Sequence, residues 1–154
     1  MNDQIKVEVM DHGYSSPEKA TENSVGYDLY ATEDEVIRPL DRKLIRTGIK
    51  LHMPIGMEAQ VRSRSGLASK HGVFVLNSPG TIDPDYRGEV KVLLFNSGHM
   101  PYDIDRGDRI AQLVFHSYLS PVISSTKGIS YIRGDGGFGS TGNGEIKSEK
   151  SYNV

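Results

Sequence analysis

The chain has 154 residues, of which 36% are hydrophobic and 25% charged, with 17 glycines and 7 prolines. A chain of this length can bury roughly two thirds of its unfolded surface in one core, and its many turn-forming residues exclude a protein of long helices. A formal net charge of -2 excludes the strong positive field of a nucleic-acid coat or a membrane-surface protein, and the absence of cysteine excludes disulfides, thiolate zinc sites and cysteine nucleophiles.

The amino terminus alternates polar and apolar residues, as MNDQIKVEV, instead of joining a basic end to an apolar run. This pattern indicates that no signal peptide is present. No stretch of the chain has the apolar length that spans a bilayer. We therefore expect a cytoplasmic protein without a membrane or nucleic-acid partner.

Alternation of apolar and polar residues recurs along the chain and predicts half-buried strands. The alternating and other apolar stretches occupy residues 5–9, 27–31, 43–53, 57–61, 90–94 and 110–119. Because turn signals rather than amphipathic helices separate them, we predict an all-β fold, a jelly-roll-like barrel or sandwich. One short helix is expected, with Ser65 as its cap, residues 66–70 as its body and Gly72 at its end.

The composition changes near Ser120, after which Ser, Gly and Thr dominate. We predict a β-barrel domain over residues 1–119, a Gly-rich arm over 120–142 and a polar tail over 143–154, to which we assign no role. Extended, the arm would reach on the order of 60 Å, whereas a domain of this size has a radius of gyration near 15 Å. The arm is therefore long enough to touch a neighbouring subunit.

Two segments in the first half of the chain carry polar groups that suit an anionic ligand. In residues 24–31, Asp28 lies within an otherwise apolar strand and needs a partner, either a metal-bound water or a backbone donor. A structural aspartate is the commoner case. In residues 62–68, arginines and serines precede the short helix, as a phosphate site requires, and Gly66 permits close approach. A solvated strand end fits that segment equally well.

Two further segments lie between and within strands of the second half. Residues 80–89 form a turn in which a carboxylate, such as Asp83, could be held rigidly enough to deprotonate a water molecule. An acidic surface turn is the alternative, and the commoner one. Residues 107–114 lead into a strand in which Gln112 is polar among apolar neighbours. Its amide either binds a ligand or, more commonly, faces solvent.

A glycine-rich segment, residues 133–142, formally matches G-x-G-x-x-G. No strand-turn-helix unit surrounds it, which excludes a dinucleotide fingerprint, and no Gly-Lys-Ser/Thr follows, which excludes a P-loop. With one phenylalanine, one arginine and two hydroxyls, it is instead typical of a lid that stacks on a base and closes over a phosphate. The alternative is a disordered tail. The five histidines lack metal-ligand spacing.

Taken in chain order, these five segments resemble the five motifs of the homotrimeric dUTPase family, and they extend from Ser24 to Gly142. The resemblance implies a jelly-roll-like subunit and a homotrimer with three active sites, each assembled from three chains. It also implies the Mg²⁺-dependent hydrolysis of dUTP to dUMP and pyrophosphate, which limits uracil incorporation into DNA and supplies dUMP for dTMP synthesis.

Roles for individual residues follow from the resemblance alone. It implies that Asp83 is the general base that activates water for attack on the α-phosphorus, and that Asp28 holds Mg²⁺ through water. Tyr86 would pack under the sugar, and Phe138 would stack on uracil. The remaining implied substrate contacts are, for the phosphates, Arg64, Ser65, Gly66, Gln112, Arg133, Ser140 and Thr141, and, for uracil, Asn77, Gly80 and Ile82. Gly139 is also implied to bind the substrate.

The chain departs from the family pattern at Ser63, where proline is usual, and at Pro84, where a small polar residue is common. The nearest alternative is a dCTP deaminase, which resembles this fold but needs a glutamate in the strand after the hairpin, where this chain has Leu93. A non-catalytic nucleotide- or protein-binding module of the same fold is a second alternative. Its mark would be loss of Asp83, Tyr86 or the arm, and all three are present.

Overall fold

Short antiparallel strands are the main regular secondary structure of the computed structural model, which describes residues 4–125. In chain order the described elements are β1 (Lys6–Val9), β2 (Glu18–Lys19), β3 (Tyr27–Tyr30), β4 (Glu35–Ile37), β5 (Arg42–Arg46), β6 (Ile49–His52), β7 (Met57–Arg62), α1 (Ser65–His71), β8 (Val73–Val75), β9 (Gly80–Ile82), β10 (Lys91–Asn96), β11 (Tyr102–Ile104) and β12 (Arg109–Ser117). This is a jelly-roll β fold with one short helix, which confirms the predicted fold class.

The strands form four sheets, in the orders β1-β6, β5-β10-β8, β11-β4 and β2-β3-β12-β7-β9. Partners such as β3 and β12 are remote in sequence, as expected when strands wrap around a common core. The five-stranded sheet positions the site, because its central strand β12 pairs with β3 on one side and with β7 on the other.

The alternation predicted from sequence is present in the central strands. Ala59 and Val61 of β7 are buried, as are Val92 and Leu94 of β10. The first strand is less buried than predicted, since Val9 is exposed. The reason is that β1 pairs only with β6, in a two-stranded sheet.

The predicted helix exists, but its first residue differs from the prediction. Arg64 has extended φ and ψ and occupies the N-cap position without a side-chain cap bond, so Ser65 is the first helical residue rather than the cap. Gly72 ends the helix, as predicted. Its φ of 67° is left-handed, and its backbone N–H bonds the carbonyls of Ala68 and Leu67.

Residues 4–120 form one unit, and residues 121–125 are exposed chain without regular secondary structure. The rest of the predicted arm and the predicted tail lie outside the described residues. Within residues 4–125, no helix is long and apolar enough to cross a membrane.

Candidate functional site

A cavity of about 360 Å³ lies where β3, the start of α1 and β12 meet. It contains five of the residues singled out from sequence, together with small residues of the segment before β3. Its lining comprises Ala20, Ser24, Val25, Gly26, Asp28, Arg64, Ser65, Gly66 and Gln112. A larger cavity of about 470 Å³, at the far end of α1, contains none of the predicted site residues.

Strand register brings these segments together although they are remote in sequence. Gln112 of β12 lies directly opposite Asp28 of β3 and, on its other side, opposite Arg62 of β7. Residues that face each other across neighbouring strands point to the same side of a sheet. The cavity therefore takes one wall from β3 and another from β12, and the start of α1, which follows β7, supplies a third.

Asp28 is paired within its own chain. Its carboxylate is 14% exposed, with Oδ1 3.3 Å from Arg64 Nε and Oδ2 3.4 Å from Arg109 Nη1. Arg64 also donates from Nη1 to the Arg109 carbonyl at 2.9 Å. From the sequence we expected Asp28 to be paired with a metal-bound water or a backbone donor. In the structure its partners are instead two guanidinium groups. Arg109 was not predicted, because its distance from Asp28 depends on strand register.

The amide of Gln112 is half-buried rather than fully in solvent, and it donates from Nε2 to the Ser63 carbonyl at 3.0 Å. Gly26 makes room for this side chain, since a Cβ there would lie 2.2 Å from Gln112 Oε1. Sequence reasoning missed Gly26, whose contribution is the absence of a side chain. The Oγ of Ser63 accepts a hydrogen bond from the Val75 amide at 2.9 Å, and so ties β7 to β8.

The first turn of α1 presents backbone to the cavity. The first N–H groups of a helix have no partner within it and point toward an anion. Gly66 has open space where a Cβ would stand, and the first turn carries no acidic residue. With two arginines, a serine hydroxyl and an amide nearby, this end of the sheet can bind phosphate groups around one carboxylate.

The residues predicted to recognise uracil and the sugar form a second group with the predicted general base Asp83, before, on and after β9. Gly80 and Ile82 are buried in that strand, whereas Asn77, Asp83 and Tyr86 are exposed. The Asn77 amide nitrogen lies 3.3 Å from the position of a Cβ on Gly80. The loop between them contains a cis Ser78–Pro79 peptide.

The Tyr86 ring is held by its own turn. Its hydroxyl donates to the Glu89 carbonyl at 3.0 Å, and its amide donates to the Asp83 carbonyl at 3.1 Å. A Cβ on Gly88 would lie 2.4 Å from the Tyr86 hydroxyl oxygen. The turn therefore fixes the ring through two hydrogen bonds and one close approach.

Behind this turn lies the carboxylate of Glu89, which is 9% exposed. Oε1 accepts from the Gly48 amide at 3.0 Å and lies 3.0 Å from His12 Nε2, and Oε2 accepts from Arg46 Nε at 3.1 Å. Burial raises the pKa of the Glu89 carboxyl, but the hydrogen bonds from His12, Gly48 and Arg46 outweigh burial and leave the pKa below its ordinary value of 4.5. Glu89 thus connects the turn to the amino-terminal segment and to β5.

The two groups of residues lie apart within one chain. On β7, Arg62 is opposite Gln112 and Ala59 is opposite Ile82, so Asp83 is opposite Glu58, four residues from Arg62. Strand geometry converts this register into about 13 Å along the sheet and about 10 Å across two strand spacings, a backbone separation of about 16 Å between Asp83 and Gln112. The structure brings Asp28, Arg64, Ser65, Gly66 and Gln112 together, and it leaves Asp83 outside their cavity.

The residues predicted to form the lid, Arg133, Phe138, Gly139, Ser140 and Thr141, lie outside the described residues. Their roles stay predictions.

Known proteins resemble this chain over most of its length. The family model for dUTPase matches residues 13–142. The deoxyuridine 5'-triphosphate nucleotidohydrolase of Wolbachia pipientis subsp. Culex pipiens is 52% identical over 153 residues, covering 91% of this chain and 97% of the relative. That of Ehrlichia canis is 53% identical over 135 residues, covering 82% and 86%.

Solved structures resemble it as well. A variant of the Staphylococcus bacteriophage 80alpha dUTPase with dUpNHpp has a TM-score of 0.84 at 24% identity, covering 92% of this chain and 99% of that one. A variant of the dUTPase from phage phi11 of S. aureus, in which a structural Mg(II) ion is coordinated, has a TM-score of 0.76 at 22% identity, covering 83% and 99%. At these identities the two likenesses concern the fold alone.

Proposed function

Since this chain belongs to the dUTPase family, we propose that it is a dUTP diphosphatase, which hydrolyses dUTP to dUMP and pyrophosphate. The observation that carries the proposal is the cavity at Asp28, which contains the Arg64 guanidinium, a serine hydroxyl, a helix end and an amide around one carboxylate, with the Arg109 guanidinium beside that carboxylate. Arginine and backbone donors suit the oxygens of a triphosphate, and a carboxylate suits the cation that a triphosphate carries. Hydrolysis would limit uracil incorporation into DNA and supply dUMP for dTMP synthesis.

The polar groups of the cavity fit a Mg²⁺ ion that takes most of its ligands from the substrate. Within residues 4–125 there is no group of three or more His, Asp or Glu side chains that could hold a metal ion. Mg²⁺ keeps several waters and commonly binds through one or two carboxylates together with phosphate oxygens. Asp28 would hold the hydrated ion, which neutralises charge on the triphosphate. Arg64, Ser65, Gly66 and Gln112 would hold the phosphates themselves.

Asp83 is the residue we assign to general base catalysis. It is exposed at the end of β9, where the turn toward Tyr86 restrains its backbone. A positioned carboxylate that accepts the proton of the attacking water typically contributes about a hundredfold to ten-thousandfold. Attack at the α-phosphorus would displace pyrophosphate in line.

The separation of about 16 Å between Asp83 and Gln112, estimated from strand spacing and rise, supports a site shared between copies of the chain. At that separation Asp83 does not reach the water beside a phosphate in the cavity of its own chain, so in the proposed oligomer Asp83 of a second copy would supply the base. The segment after β12 also carries Leu119, Val122 and Ile123 almost fully exposed, as expected of residues that an oligomer covers. We propose the homotrimer of the family. The closing arm with Arg133, Phe138, Gly139, Ser140 and Thr141 would come from the third copy.

One assay panel tests the activity. Purified protein is supplied with dUTP, dCTP, dTTP or UTP in the presence of Mg²⁺, and pyrophosphate, nucleoside monophosphate and ammonia are measured. We expect pyrophosphate and dUMP from dUTP, with little product from the other three. Absence of dUTP hydrolysis would refute the proposal.

The same panel separates the alternatives. Ammonia released from dCTP would indicate a deaminase, for which the chain has Leu93 where that chemistry needs a glutamate. Leu93 lies half-buried in β10 opposite Leu44, and a hydrocarbon side chain cannot transfer protons. Binding of dUTP without turnover would indicate a non-catalytic module. The cytoplasmic location stays a prediction.

A further inference from the structure

Arg109 lies beside Asp28 but is not among the residues that line the cavity. We propose that Arg109 is a positioning residue, whose side chain and backbone carbonyl together hold Asp28 and Arg64 in the arrangement that a cation-bound triphosphate meets. The inference rests on the proposed function and extends it to a residue outside the five phosphate and metal contacts assigned above within residues 4–125.

The contacts among the three residues form a closed ring. Arg109 Nη1 lies 3.4 Å from Asp28 Oδ2, Arg64 Nε lies 3.3 Å from Asp28 Oδ1, and Arg64 Nη1 donates to the Arg109 carbonyl at 2.9 Å. Each residue is thus tied to the other two. Because the two guanidinium groups approach different carboxylate oxygens, they restrain the rotation of the carboxylate as well as its position.

An irregularity in β12 brings Arg109 to this face of the sheet. Arg109 is paired with Tyr30 and Ala111 with Leu29, so Ile110 is an extra residue between two pairs. In an uninterrupted ladder Ile110 would oppose Tyr30, and Arg109 would point to the opposite face. The bulge exchanges them: Ile110 is buried in the core, and Arg109 becomes the diagonal neighbour of Asp28, within reach of a long side chain.

Exposure and charge indicate a role in the site rather than in folding. The Arg109 side chain is 51% exposed, and ion pairs so exposed contribute little to stability. Asp28, Arg64 and Arg109 together carry a net charge of +1. Without Arg109 the net charge of the ring is zero. The positive ring favours a magnesium-triphosphate complex, which is itself anionic.

The experiment compares wild type, Arg109→Gln, Arg109→Lys and the control Arg42→Gln, which changes an exposed arginine on β5. Three quantities are measured: the dissociation constant of the Mn²⁺–dUpNHpp complex from the protein, by electron paramagnetic resonance, and kcat and KM for dUTP with Mg²⁺. Thermal unfolding of each protein verifies the fold.

For Arg109→Gln we expect about tenfold weaker binding of the Mn²⁺–dUpNHpp complex and an about tenfold higher KM, the low end for a charge-assisted contact, with kcat changed less than about threefold. Arg109→Lys, which restores the charge, should recover part of both effects, and the control should match wild type. Unchanged affinity for the Mn²⁺–dUpNHpp complex in Arg109→Gln would overturn the inference, and so would a lysine variant that recovers nothing. Wild-type protein without dUTP hydrolysis would instead refute the proposed function, and the Mn²⁺ measurement would still report on the ring.

Discussion

Replacing Glu89 by glutamine tests how the turn that carries Tyr86 is held. The carboxylate is enclosed and accepts hydrogen bonds from Gly48, His12 and Arg46 through both oxygens. Glutamine has nearly the same shape but only one acceptor oxygen. If that oxygen keeps its hydrogen bonds with Gly48 and His12, the new NH₂ group faces Arg46 Nε, a donor against a donor.

The expected loss of stability depends on the strength of the hydrogen bond that is broken and on its exposure to water. A hydrogen bond to a charged group contributes about 1.5 to 3 kcal/mol, and breaking a fully buried ion pair costs about 3 to 5 kcal/mol. Because water reaches the Arg46 and His12 side chains, we expect Glu89→Gln to lower the free energy of unfolding by about 2 to 3 kcal/mol. For a domain of this size that lowers Tm by roughly 4 to 12 °C.

The assay is urea or thermal unfolding at one fixed protein concentration, since the proposed subunit association would make Tm depend on concentration. The matched control is Glu8→Gln, at a carboxylate that is 52% exposed and lies 3.7 Å from Lys50 Nζ. Such exposed pairs are worth less than about 1 kcal/mol. If Glu89→Gln destabilised the protein no more than Glu8→Gln does, the reasoning about enclosure would be wrong.

The pH dependence of this effect has a defined sign. The pKa of Glu89 is lowered from 4.5 in the folded protein, so the unfolded chain takes up a proton at higher pH than the folded one. The stabilisation is fully present above the unfolded value and is lost as pH falls through the folded value. The difference in unfolding free energy between wild type and Glu89→Gln should therefore be flat above about pH 5 and shrink below it. A difference that grows on acidification would contradict this.

Three further variants test the site. Asp83→Asn should lower kcat for dUTP by about a hundredfold to ten-thousandfold. The matched control Asp85→Asn, in the same turn, should keep near wild-type turnover. Equal activity of the two variants would show that Asp83 is not the general base. Gly26→Ala should displace the Gln112 amide and raise KM by about tenfold at little change in kcat, and unchanged KM would show that this amide does not hold the phosphates. Truncation after Ile132 should abolish hydrolysis while light scattering shows an unchanged assembly, and a fully active truncated protein would show that the arm is not a lid.

Local patterns in the sequence were sufficient for the fold class. The alternation around Ala59 and Val61 reports which face of β7 is buried, and Gly72 marks the helix end, because both depend on neighbours in the chain. The helix start was misassigned because the extended backbone of Arg64 moves Ser65 into the first turn. That difference depends on two dihedral angles, which composition does not encode.

Five of the residues that line the cavity could be named from the sequence, but the contacts between them could not. Motif resemblance identified Asp28 and Gln112 separately, but that they face each other depends on strand register. Arg109 escaped prediction because a single inserted residue exchanges its face with that of Ile110. Gly26 escaped because it contributes empty space, which no residue pattern marks.

The position of β12 has a consequence for synthesis. This strand is the last of the described strands to leave the ribosome, yet it forms the middle of the five-stranded sheet. Until residues 109–117 emerge, β3 and β7 lack their common neighbour, and the walls that carry Asp28 and Arg64 cannot meet. A nascent chain that stops short of this strand exposes two unpaired edges, the kind of surface on which incomplete β proteins aggregate. Assembly of the sheet is for this reason a late event that follows translation of nearly the whole barrel.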